Sequence, residues 1–151
     1  MTTYLALDPG EKRVGVAVSD PTGTVARPLP PLARRPHSRF LAAVAELLSR
    51  EGAGILVVGL PLRDGAAGPR AQAAMALAHE LRKAAGVPVV TEDESFSTSE
   101  AWDVIRENGI RGSRAEGRAD GVAAALILER HLRRSGAGKG RPDGDGTGEV
   151  R

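Results

Sequence analysis

The sequence predicts an α/β fold: one mixed five-stranded sheet with helices on both faces. Three observations carry this. Tyr4 to Leu7 is a short apolar run, and Val14, Val16 and Val18 then recur with period two beyond the turn residues Pro9-Gly10, which is a hairpin pattern. Ile55-Leu56-Val57-Val58 is a continuous apolar run, as in a central strand buried on both faces. From there on, short apolar runs alternate with segments of helical spacing, the signature of βα units following a hairpin.

Taken in order, the first strand ends at Asp8 and the second runs through Val18. The small residues Gly15 and Ala17 lie between the valines, so the second face of that strand is also close-packed or closely approached. Pro21-Thr22-Gly23 is a turn. Thr24 to Leu32 can form a third strand, confined to an edge by Pro28, Pro30 and Pro31, since proline cannot donate to a ladder. Ser38 is a candidate N-cap for a helix whose face is Phe40, Leu41, Val44, Leu47 and Leu48, and Gly52 and Gly54 end it. After Ile55 to Val58 comes Gly59-Leu60-Pro61, then a loop from Asp64 to Pro69. A second helix is predicted over Pro69 to Ala85, with Pro in its first turn and Gly86 beyond its end. Val87 to Asp93 is the fifth strand, entering the acidic group Glu92-Asp93-Glu94. Ser97 or Thr98 can cap a helix through Asn108. Gly109 to Gly117 reads as a basic loop, and Ala119 to Arg134 as the last helix. From Ser135 the chain is Gly-rich and carries charges of both signs, a composition that buries too little to order itself. The predicted organisation is one domain over 1–134 and a disordered tail over 135–151.

Composition narrows the function. The chain has 151 residues and no cysteine, which excludes disulfides and thiolate metal sites. It has no run of about 18 apolar residues, and it is expected to be soluble and cytoplasmic with no membrane partner. The net charge of +2 does not by itself point to nucleic acid. Aromatic residues are scarce, at 3%, which argues against a base-stacking platform. The loop Asp64 to Pro69 lacks the Gly-Lys-Ser/Thr of a P-loop. His37, His79 and His131 are scattered along the chain and are expected on the surface.

The residues that carry chemistry are acidic. Asp8 closes the first strand, Glu92 and Glu94 share a face at the end of the fifth, and Asp120 opens the last helix. Sites in open α/β sheets form beyond the carboxyl ends of strands, which is where these groups converge if the first and fifth strands run parallel. Carboxylates crowded together raise one another's pKa, and a hard divalent cation such as Mg²⁺ relieves that conflict. Such a site can activate water and stabilise a leaving oxygen in phosphodiester cleavage. Singly, Asp8 before Pro-Gly is good turn chemistry, Asp120 suits a helix N-terminus, and Glu92 to Glu94 could be a solvated strand end. Periodicity does not choose between Glu92 and Glu94.

Four stretches together resemble one family. LALDPGEKRVGVAVSD resembles the opening motif of the YqgF family, also called RuvX. VVGLPLRDGAAGPRA resembles its second signature, EDESFSTSEA its Asp-Glu-Arg-x-x-Thr segment, and RADGVAAALIL its terminal helix. They lie in order between residue 3 and about residue 134. The resemblance implies an RNase H-like fold with strand order 3-2-1-4-5 and a RuvC-like acidic site using Mg²⁺ or Mn²⁺. It assigns Asp8, Glu94 and Asp120 as metal-holding catalytic acids, so that Glu94 is preferred to Glu92. The family's Arg after that Glu is Ser95 here, which removes a positive group. Related enzymes use four acids; three are assigned.

The implied activity is hydrolysis of structured RNA, foremost 5′-end processing of pre-16S rRNA within a ribosomal particle, by a monomer or weak dimer. A junction resolvase acting on branched DNA is the alternative. A non-catalytic RNA-binding module is a further one. The sugar-kinase and actin-like ATPases share a similar phosphate-binding hairpin, but that fold needs two such domains, and this chain has room for one. Arg111, Arg114 and Arg118 are candidates for holding phosphates near the acids, with Arg34, Arg35 and Arg39 a weaker group. The tail is expected to be dispensable for folding: Lys139, Arg141 and Arg151 offset Asp143, Asp145 and Glu149. A chain ending at Arg134 should melt at the full-length temperature, and a drop of several degrees in thermal unfolding would show that the tail docks.

Overall fold

The chain is described from a computed structural model covering residues 1–61, 68–94 and 113–135, with the side chains of Glu94 and of residues 113–118 outside the description. The strands are β1 (Thr3–Pro9), β2 (Arg13–Ser19), β3 (Ala26–Ala33), β4 (Ala53–Pro61) and β5 (Val89–Glu94). The helices are α1 (His37–Glu51), α2 (Pro69–Ala84) and α3 (Ser113–Ser135). The sheet order is β3-β2-β1-β4-β5, the order the family resemblance implies. β1 is antiparallel to β2 and parallel to β4, and β4 is parallel to β5. β3 is an edge strand paired with β2 alone, the place where its prolines cost least.

The pleat sends alternate side chains to two cores. Leu5 and Leu7, Val14, Val16 and Val18, and Leu56 and Val58 face α1 and α2, meeting Phe40, Val44, Leu47, Leu77 and Leu81. Tyr4 and Ala6, Ala17 and Val57 face the opposite way, onto Ala124, Ile127, Leu128 and Leu132 of α3. Among the described residues no helix is long and apolar enough to cross a membrane.

Several local expectations change. The N-cap of α1 is Pro36, with no side-chain cap bond, in place of Ser38. Proline presets φ near the helix entry, so the helix starts one residue before the serine. Gly52 closes α1 at φ 65°. The last helix starts at Ser113 instead of Ala119, so the segment predicted as a basic loop is helical from Ser113 onward. It also includes Ser135, whose Oγ donates to the Leu132 carbonyl. The predicted helix over 97–108, most of the loop over 64–69, Arg111, Ser95 and the tail from 136 onward lie outside the described residues.

The turn between β2 and β3 is built on Asp20. Its carboxylate accepts from the Thr22 hydroxyl and from the N–H groups of Val25 (2.8 Å), Thr24 (2.8 Å) and Thr22 (3.2 Å). These donors, the Thr22 hydroxyl foremost, hold the Asp20 carboxyl well below its ordinary value of 3.8. A depressed folded-state pKa adds stability above pH 3.8 and loses it as the pH falls toward the folded value. Asp20→Ala should therefore melt below the wild type at neutral pH, and the gap should narrow as the pH is lowered beneath about 4. A gap independent of pH in thermal melts would show that the charge on Asp20 contributes nothing.

Candidate active site

Asp8 lies at the C-terminal end of β1 on the α3 face, continuing the series Tyr4, Ala6. Its cross-strand partner is Gly15. Gly15 is where α3 comes nearest the sheet: a Cβ built on it would stand 2.0 Å from the Asp120 carbonyl oxygen and 3.2 Å from the Asp120 Cα. Only glycine permits that approach, and it sets Asp120 beside the residue paired with Asp8. This is the close approach to the second face of β2 that Gly15 and Ala17 foretell. Asp8 and Asp120 are both partly exposed at this edge.

Asp120 does not open its helix. It sits about two turns inside α3, beyond the first turn within which a helix N-terminus favours negative charge. Its counter-charge is Arg13, the first residue of β2, whose Nε donates to Asp120 Oδ2 at 2.6 Å. The two side chains are 43% and 27% exposed, so the pair stands at the solvent boundary. Arg13 belongs to the opening motif, yet composition and spacing assign it no role; its signal is that it continues the series Arg13, Gly15, Ala17 on the α3 face of β2.

Glu94 ends β5 at the same edge of the sheet, where its backbone pairs with Pro61. One strand, β4, separates β5 from β1, a lateral distance of about 10 Å. Among the described residues no three His, Asp or Glu side chains gather closely enough to hold a metal ion. Arg114 and Arg118 fall within α3.

A sequence model of the family described as "RuvX: Holliday junction resolvase" matches residues 2–134. The chain belongs to the RuvX family. A relative from Anaeromyxobacter sp. (strain Fw109-5) is 44% identical over 127 residues, spanning 83% of this chain and 93% of its own. It bears the name "Putative pre-16S rRNA nuclease". A relative of the same name from Moorella thermoacetica is 41% identical over 133 residues, 87% of this chain and 95% of its own. Among solved structures, T. thermophilus RuvC in complex with Holliday junction substrate superposes with a TM-score of 0.55 at 21% identity, covering 90% of this chain and 97% of that one. The fowlpox virus Holliday junction resolvase gives 0.50 at 13%, covering 88% and 98%. At these identities the likeness establishes a shared fold.

In this RuvX chain Glu92 does not behave as a solvated strand end. It is 2% exposed, and its carboxylate meets α3 through His131 Nδ1 (3.0 Å), Arg130 Nε (3.5 Å) and Arg134 Nη1. A carboxylate only accepts, so the His131 ring donates here. His131 is thereby drawn off the open surface where the sequence reading put it, and it packs against Tyr4 with ring centroids 5.7 Å apart. His37 and His79 are exposed as expected. Glu92 is thus accounted for as an anchor between β5 and α3. Glu92→Gln should lower stability by about 1.5–3 kcal/mol, the range for a hydrogen bond to a charged group, while folded protein keeps its cleavage activity. Unchanged melting with lost cleavage would place Glu92 among the reacting groups.

Proposed function

We propose that this chain is a metal-dependent nuclease that hydrolyses phosphodiester bonds in structured RNA, and that its substrate is the 5′ extension of pre-16S rRNA in a ribosomal particle of the cytoplasm. The observation that carries the reading is the approach of the Asp120 backbone in α3 to Gly15, the residue paired with Asp8 at the C-terminal edge of the sheet. The names of the RuvX relatives supply the substrate class.

The residues fit a hard divalent cation, Mg²⁺ or Mn²⁺. Asp8 and Asp120 are oxygen donors of like charge, brought together at a partly exposed edge, and Glu94 is proposed as the third acid from the end of β5. When bound, such an ion supplies a nucleophile at neutral pH and charge stabilisation for the leaving oxygen. The chain's own part is to hold the acids rigidly. Gly15 lets the Asp120 backbone come against the strand paired with Asp8, and Arg13 engages one oxygen of Asp120 and so orients the other. Arg111, Arg114 and Arg118 are proposed phosphate contacts.

A resolvase reading has support in the RuvX family's description as a Holliday junction resolvase. Resolution of a four-way junction needs two coordinated cuts and an isologous dimer. We read the chain as a monomer or weak dimer; among the described residues the exposed large apolar side chains are Met1, Val25 and Met75. The discriminating experiment incubates the protein with a 16S precursor carrying its 5′ extension and, in parallel, with a mobile four-way DNA junction. Mg²⁺, Mn²⁺ and EDTA are compared, with Asp8→Asn as the blank. Cleavage of the precursor with either metal is expected, abolished by EDTA and by Asp8→Asn, with little symmetric nicking of the junction. Full activity of Asp8→Asn would remove the acidic site from the mechanism. Paired cuts in the junction with the RNA untouched would make the chain a resolvase.

A further inference from the structure

Beside the acidic edge runs a line of positive charge, and backbone hydrogen bonds hold it in place. Arg13 pairs with Ala33 across β2 and β3. Just beyond that pair, the Arg34 N–H donates to the Lys12 carbonyl at 2.9 Å. The Arg34 guanidinium turns back, and its Nη1 donates to the Gly10 carbonyl at 2.7 Å. The end of β3 is therefore tied to the turn that directly follows Asp8 and Pro9. Lys12 and Arg35 are exposed, Arg34 partly so. Among the described residues none of the three has a carboxylate within ion-pair distance, and Glu11 is the one acid in the turn.

Cations on neighbouring strands repel one another, and the brace from Arg34 to Gly10 accounts for one of the three, leaving the exposed side chains of Lys12 and Arg35 without a part in holding the turn. Arg34 spends one of its five donors on Gly10 and keeps the rest for a planar acceptor. A polyanion approaching Asp8 and Asp120 meets like charge, so its backbone has to be held by cations on the flank. We propose that Lys12, Arg34 and Arg35 grip the phosphates of the nucleic-acid strand on the β3 side of the acids, with Arg13 joining that strip to Asp120. The proposal takes the acidic edge as the reaction site, as in the function proposed above, and adds where the strand lies. It is separate from the proposed contacts Arg111, Arg114 and Arg118.

The test is binding without turnover. Full-length protein in EDTA is titrated into a fluorescein-labelled single-stranded RNA, and into DNA of the same sequence, between 50 and 200 mM NaCl, with anisotropy as the readout. The double variant Lys12→Gln/Arg35→Gln removes two exposed charges and leaves the Arg34 brace in place. Its melting temperature should match the wild type. The slope of log K against log salt should become shallower by about 1.4, at ~0.7 per phosphate contact on a single strand. The affinity lost across that salt range then shrinks by about sevenfold relative to wild type. Similar changes on RNA and DNA are expected, because the grip is on phosphate. An unchanged slope in this variant, or a change seen only in Arg114→Gln/Arg118→Gln, would overturn the proposal. Failure of the nuclease reading is separately visible: a slope that falls as expected, in a protein that cleaves nothing with Mg²⁺ or Mn²⁺, leaves the phosphate grip standing.

Discussion

Helix α3 lies against all five strands, and its tightest glycine contact, at Gly15, helps to set its height. There the helix backbone takes the space a Cβ would fill. A side chain at this position would lift the helix at its Asp120 end. The apolar contacts farther along depend on that height, because Ile127, Leu128 and Leu132 bury themselves on the sheet only if α3 lies flat. Burial of three such side chains contributes on the order of 5–9 kcal/mol, comparable with the whole net stability of a domain. The same approach that closes this core delivers Asp120 to the residue opposite Asp8. Core and site thus share one geometric requirement, and a residue without a side chain meets it.

The far end of α3 is fixed by different physics. Glu92 brings a carboxylate into a region where an unpaired charge would be costly, and it is satisfied by groups from a single helix. Replacing a buried ion pair with apolar residues is often neutral or stabilising, so the group is better understood as a locating device than as a source of stability. Arg130, His131 and Arg134 meet Glu92 only when α3 has the right rotation and the right position along its axis. The strand they hold is the one that ends at Glu94. Gly15 sets one end of the helix by shape and Glu92 sets the other by charge, so α3 has little freedom to slide between Asp8 and β5.

How much of this could be read from the sequence depends on whether the signal was local. Val14, Val16 and Val18 announce a strand by period alone, the prolines of β3 announce an edge, and Ile55 to Val58 announces a centre. The sheet order came with the family resemblance, since pairing partners are far apart in the chain. The start of α3 was missed because Gly117 breaks the helical pattern, and its first turns, Ser113 to Arg118, carry no apolar face. Propensity there argues for a loop, and the tertiary packing of the later turns overrides it. The burial of Glu92 was not foreseen because strand periodicity reports which face a side chain takes and not whether that face is covered. The spacing of Arg130, His131 and Arg134, one helical turn on a single face, was the available sign that a buried acid lay opposite.

The position of Asp120 changes the electrostatics of the edge. At a helix N-terminus its charge would be offset by the peptide dipoles, a fixed and diffuse compensation. Two turns inside the helix that compensation is gone, and a discrete cation, Arg13, stands in its place. A guanidinium differs from a helix end in two respects. It is directional, so it fixes which oxygen of Asp120 is engaged, and it sits on a side chain 43% exposed, where salt and a competing anion can reach it. Arg13 is also continuous through β2 and β3 with Lys12 and Arg34. Negative charge at this edge is therefore held by the rigid elements β1 and α3, and positive charge by the turn and strand end beside them. The proposed reading uses both: the acids at the phosphodiester bond that would break, and the cations along the backbone that would not.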